Sequence, residues 1–138
     1  MIFAVAASVL IVVGVTTWAI RHRHSNEQVA HAVVDLRDRS MARGTEPPPT
    51  EPPLEIPRNV SHLEIYLPLG SSDGPYDVRV TSVQGKPLVS GSGEAKLERG
   101  LTLLRVNLTM SAAARPGDYL LQIRRHASEW VSFSVQIR

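Results

Sequence analysis

The uncharged run Ile2–Ile20 (IFAVAASVLIVVGVTTWAI) constrains this chain more than any other stretch. As an α-helix rising about 1.5 Å per residue it would reach roughly 28 Å, close to the ~30 Å hydrocarbon thickness of a bilayer. In lipid every backbone N–H and C=O must be satisfied within the segment, so a spanning helix is the expected solution. Trp18 stands where an interfacial anchor belongs, and Arg21, His22, Arg23 and His24 follow with groups that can reach head groups. No basic residue precedes the run, and it exceeds the roughly 7–15 apolar residues of a secretory signal. Residues 1–20 are therefore expected to be a retained transmembrane helix, with the membrane bilayer as the chain's first partner.

Residues 21–58 read as a juxtamembrane segment followed by a proline-rich linker. Ser25 with Gln28 makes a capping box, and Val29, Val33 and Leu36 follow at the spacing of one helical stripe. That favours a short helix. The alternative is an extended segment over 30–36, because Val33-Val34 is β-branched and could add a strand to a sheet. Residues 46–57 (EPPPTEPPLEIP) hold six of the ten prolines. Proline fixes φ and pushes its predecessor into extended conformations, so a polyproline II spacer of about 3.1 Å per residue is expected.

From Val60 onward the apolar period becomes two. Leu63, Ile65 and Leu67 alternate with polar neighbours; so do Tyr76, Val78 and Val80, then Leu104, Val106 and Leu108. Tyr119, Leu121 and Ile123 form a further inward set, and Val131, Phe133, Val135 and Ile137 the last. Turn formers separate these runs at 68–75, at Gln84-Gly85-Lys86-Pro87, at Arg99-Gly100 and at His126–Glu129. Gly91 and Gly93 are expected to mark a bend or bulge between Leu88–Ser90 and Glu94–Leu97. Short strands at such intervals, with no helical pattern between them, predict an all-β fold. The expected form is an antiparallel immunoglobulin-like β-sandwich of about seven strands over residues 59–138. Tyr119, opening a strand after Pro116-Gly117-Asp118, is placed like a tyrosine corner whose hydroxyl bonds back to the backbone.

Chemistry is scarce. The 138 residues include no cysteine, which excludes disulfides, thiol chemistry and Cys-based zinc sites. His22, His24 and His31 match no zinc spacing, and His62 and His126 have no evident carboxylate partner for catalysis. No catalytic, cofactor-binding or metal-ligating residue is assigned, no cofactor is expected, and no small-molecule substrate is evident. Gly70-Ser71-Ser72 and Gly91-Ser92-Gly93 read as turn glycines, because no helix N-terminus follows to cradle a phosphate. Net charge is +2, with six arginines against six acids in residues 1–58 and nine basic residues against seven acids beyond. Neither part offers the dense basic face that nucleic-acid binding needs.

Three stretches together resemble a known family. They are Val34-Asp35-Leu36-Arg37-Asp38-Arg39-Ser40 with Arg43-Gly44, Leu67-Pro68-Leu69-Gly70-Ser71 with Gly74-Pro75-Tyr76, and Pro116-Gly117-Asp118-Tyr119-Leu120-Leu121. They resemble the β-rich region that follows the membrane helix in bacterial anti-sigma-factor-like membrane proteins with an N-terminal zinc-finger domain. The likeness runs from about Ile2 to the end. With no cysteine, and with the apolar run opening the sequence, zinc and sigma-factor binding are not carried over. What the resemblance implies is a sensor-like or structural domain outside the cytoplasm. Arg21 and Arg23, counted literally, would put the domain inside; the resemblance favours the periplasmic side. The expectation is thus a single-pass, non-enzymatic module that binds an unidentified protein or envelope component. The alternative is an assembly subunit acting through its transmembrane helix.

Overall fold

The computed structural model describes residues 30–43, 51–110 and 114–138. The expected spanning helix Ile2–Ile20, the Ser25–Gln28 cap and residues 46–50 of the proline-rich run lie outside the described residues. Among the described residues no helix is long and apolar enough to cross a membrane.

The described chain is all β. Its strands are β1 (Ala30–Asp35), β2 (Ala42–Arg43), β3 (Leu54–Ile56), β4 (Val60–Tyr66), β5 (Gly74–Ser82), β6 (Pro87–Glu98), β7 (Leu101–Asn107), β8 (Gly117–Arg125) and β9 (Val131–Ile137). They form one curled sheet in the order β1-β4-β7-β6-β5-β8-β9, with β2 and β3 sharing the far edge of β9. Most pairs are antiparallel; β1 with β4 and β3 with β9 are parallel.

Alternation explains which face each strand buries. Leu63, Ile65, Val78, Val80, Leu104, Val106, Leu121, Phe133, Val135 and Ile137 are all buried in one apolar cluster, while the residues between them face outward. The inward sets expected from the period-two pattern are therefore the ones observed. The hairpin between β6 and β7 turns on Arg99 and Gly100, both at positive φ (52° and 81°). Two such residues give the twist-matched tight turn that a two-residue connection requires.

Three expectations are corrected. Residues 30–35, favoured as part of a helix, are the extended alternative: β1 buries Ala32 and Val34 and exposes His31, Val33 and Asp35, and Leu36 just beyond it is buried too. Thirty residues further on, β4 supplies the hydrogen-bonding partner that a local helical stripe cannot anticipate. Leu54–Ile56, read as part of the spacer, pairs with β9, and Ile56 is fully buried. Gly91 and Gly93 do not separate two strands. They lie inside the twelve-residue β6, which pairs with β5 through its first part and with β7 through its last. A Cβ on Gly93 would stand 2.2 Å from the Arg105 carbonyl oxygen, and one on Gly91 2.8 Å from that of Asn107. The glycines are there because one backbone passes against another.

Strand direction sorts the connections into two ends. Residues 36–41, 67–73, 99–100 and 126–130 gather at one, here called the loop end. Ala30, Val60, residues 83–86, Gly117 and the C-terminus gather at the other.

Candidate functional site

The loop end is concave and apolar. There Met41, Leu67, Tyr76, Ile123, Val131 and Phe133 line a cleft of about 170 Å³, with Arg124, Arg125, Ser128 and Glu129 at its rim. Each wall results from local folding. Leu67 is the last inward residue beyond β4, and its N–H donates to the Thr102 carbonyl at 2.9 Å. Met41 arrives through the two-residue β2, which pins Ala42 against Ser132. Tyr76 is the inward residue that opens β5, and its hydroxyl donates to the Ser72 carbonyl at 2.9 Å. That contact ties the β4–β5 loop to the cleft floor.

The loop carries apolar surface outward from the cleft. A second hollow on the far side shares Leu67, Pro68 and Ser71 and adds Leu69, Leu97 and Leu101. Leu69 is 71 % exposed and Leu97 66 % exposed. The loop is braced for this: Ser71 Oγ donates to the Pro68 carbonyl at 2.7 Å, and Thr102 Oγ1 donates to the Ser71 carbonyl at 2.8 Å. Leu69 on this braced loop and Leu97 near the end of β6, both held in water, are surface available for a partner.

Size decides what the cleft can take. Small-molecule sites run to about 300–1,000 Å³, so a cleft this small suits one or two apolar side chains of a macromolecule. Burial pushes the Tyr76 hydroxyl above its ordinary pKa, with Asp73 adding to the shift and Arg125 opposing it. The tyrosine is therefore a neutral donor and packing surface over the ordinary pH range.

Two other clusters on the outer faces are satisfied internally. Arg79 and Arg124 stack on Trp130 with guanidinium carbons 4.0 and 4.5 Å from the ring centroid. Arg79 Nε donates to Gln122 Oε1, Gln122 Nε2 to Ser132 Oγ, and Arg124 Nε to Asp77 Oδ2, at 2.7–2.9 Å. Arg124 is therefore held on both sides, by Asp77 and by Trp130. Elsewhere on the sheet, across β4, β7 and β6, Arg105 bridges Glu98 (2.8 Å) and Glu64 (3.0 Å). The guanidinium holds the Glu98 carboxyl below its usual value, and the Arg105 pKa is raised in turn. These side chains answer one another and leave little unspent chemistry.

Of the histidines considered from sequence, His22 and His24 lie outside the described residues and the other three are dispersed. His62 Nδ1 lies 2.6 Å from Asn107 Oδ1, His126 sits exposed in the β8–β9 turn, and His31 is 3.7 Å from Glu64. Among the described residues no three His, Cys, Asp or Glu side chains converge on a metal-sized site. The cleft itself is absent from the sequence reading, since its walls come from five separate segments. Its one sequence signal is turn-rich Leu67-Pro68-Leu69, where a leucine has no inward position left to occupy.

The expected tyrosine corner forms: Tyr119 Oη donates to the Arg115 carbonyl at 2.9 Å. Tyr76 repeats the same four-residue span at the opposite end of the paired strands β5 and β8. Comparison of the chain with family models, with curated proteins and with solved structures returns no match.

Proposed function

We propose that this is a single-pass, membrane-anchored, non-enzymatic binding module whose immunoglobulin-like β-sandwich offers its loop end to a protein partner. The observation that carries this reading is the braced apolar cleft with Leu69 and Leu97 beside it, at the end remote from Ala30. Ala30 is where the chain arrives from Ile2–Ile20, so anchoring there leaves the cleft as the far end. The sandwich reading draws support from the pairing. β4 pairs with β7, β5, β8 and β9 run together, β3 lies parallel to β9, and the twelve-residue β6 joins the two groups where the sheet curls. The hydroxyl-to-backbone bond of Tyr119 belongs to the same architecture.

A periplasmic position and a sensor-like role follow from the family resemblance of the three quoted stretches. A compartment-sensitive reporter fused after Arg138 is expected to be active outside the cytoplasm; activity confined to the cytoplasm overturns that position. The binding role is tested with the full chain in mild detergent. Leu69→Asp with Leu97→Asp should abolish partner retention at unchanged protein level, whereas Leu97→Asp with Leu69→Met should retain part of it. Retention that survives the double charge and depends only on Ile2–Ile20 overturns the loop-end assignment.

A further inference from the structure

We propose that β1 is the docking edge for a second copy of this chain, paired antiparallel to its own counterpart about a twofold axis at Val33. β1 closes one side of the sheet and has β4 as its sole strand partner among the described residues. The Leu36 N–H donates to the Tyr66 carbonyl at 2.9 Å, so Leu36 faces β4. Backbone direction alternates along a strand, so Val34 and Ala32 face β4 as well. The N–H and C=O groups of His31, Val33 and Asp35 consequently point away from the sheet. Such an edge is a ready template for another strand.

The sequence of β1 selects one partner and one register. Antiparallel pairing centred on Val33 sets Val33 against Val33 and His31 against Asp35 of the second copy. All three outward-facing residues then meet as hydrogen-bonded pairs, which exchange both of their backbone bonds. On the solvent face the imidazole of each His31 meets a carboxylate, and the two valines, each 53 % exposed, cover one another. Asp35 already accepts from Arg37 at 2.5–3.1 Å. The Arg37 Nε–H is shared between both carboxylate oxygens, so the imidazole N–H takes over one of the roughly four lone-pair sites that this single donor now spans. Glu64, at 3.7 Å from His31, is too far for a hydrogen bond and does not compete for that N–H. A register moved by two residues breaks both the valine pairing and the His–Asp match. Opposed in this way, each Ala30 lies about 10 Å from the axis, across from Leu36 of the second copy, and the two Ala30 residues stand about 20 Å apart.

The absence of native cysteine makes the test direct. In the full chain in detergent, Val33→Cys should form a disulfide-linked dimer under mild oxidation. Its opposed Cα atoms would stand about 5.5 Å apart, within the bridging range. Effective concentration within a dimer should make it at least ~10-fold faster than the exposed loop-end control Leu97→Cys. His31→Cys and Asp35→Cys should each fail to link to themselves, at roughly 14 Å, yet link to one another when the two variants are mixed. Equal rates at Val33 and Leu97, or self-linking of His31→Cys, overturns the proposal. Because the readout is a disulfide at β1, it is independent of whether the loop end binds a partner.

Discussion

Where β1 and β4 begin, Ile56, Val60, Met110, Ala114 and Ile137 close over the core, whereas at the loop end Tyr76 and Phe133 line an open cleft. Both ends are fastened in the same manner, by a tyrosine hydroxyl returned to a carbonyl four residues earlier. Fastening therefore does not account for the opening. The difference lies in the segments that leave the strands. After β7 the chain places Met110 and Ala114 as a plug, with the Met110 N–H directed at the Val60 carbonyl. After β4 it places Pro68-Leu69-Gly70, whose leucine points into water. The segment after β7 spends Met110 and Ala114 on the fold, whereas the segment after β4 leaves Leu69 in water.

The comparison would break first at the closed end. Ile56→Ala removes a fully buried side chain from a three-residue strand, and a loss of about 2–4 kcal/mol is expected in urea unfolding. A loss within experimental error would mean that residues 51–58 are a spacer after all.

Tyr76→Phe, at the open end, should cost about 1 kcal/mol by leaving the Ser72 carbonyl without its donor. It should also change the alkaline limb. A phenol whose pKa is raised by folding contributes stability that is present below its unfolded pKa and lost as pH rises through the folded one. The wild-type chain should therefore lose stability above about pH 10 more steeply than Tyr76→Phe does. Superimposable alkaline limbs would contradict the burial of that hydroxyl.

Thr81 lies in the closed half, fully buried, and its hydroxyl has no partner among the described residues. Thr81→Val is expected to gain up to about 1 kcal/mol, since an unpaired buried hydroxyl costs more than a methyl of the same shape. A clear destabilisation would reveal a hydrogen bond there. The smallest effect belongs to Leu69→Asp, which should move stability by no more than about 0.5 kcal/mol. A larger loss would mean that Leu69 serves the fold and is not available to a partner.

How much of this could be read from the residues depends on how far the deciding contact lies. The inward faces of β8 and β9 were legible, because Leu121 and Ile123, or Phe133 and Val135, declare their side by alternation alone. So was the bond from Tyr119, a contact spanning four residues. β1 was not, because Val29, Val33 and Leu36 also fit a helical stripe, and only pairing with β4 puts Val33 outside and Val34 inside. Gly93 reads as a break until the carbonyl of Arg105 is seen beneath it. The cleft was hidden for the same reason: Met41, Tyr76 and Phe133 share no local pattern and meet only once the sheet has curled.

The contrast between the ends can be tested at two side chains of nearly equal exposure, Leu69 at the loop end and Val83 at the closed end, 71 % and 65 % exposed. A photo-crosslinking residue is placed at each position in turn in the full-length chain, in cells. The account predicts a discrete crosslinked product from position 69 and none from position 83. Equal products from both positions, or a product from position 83 alone, would contradict it.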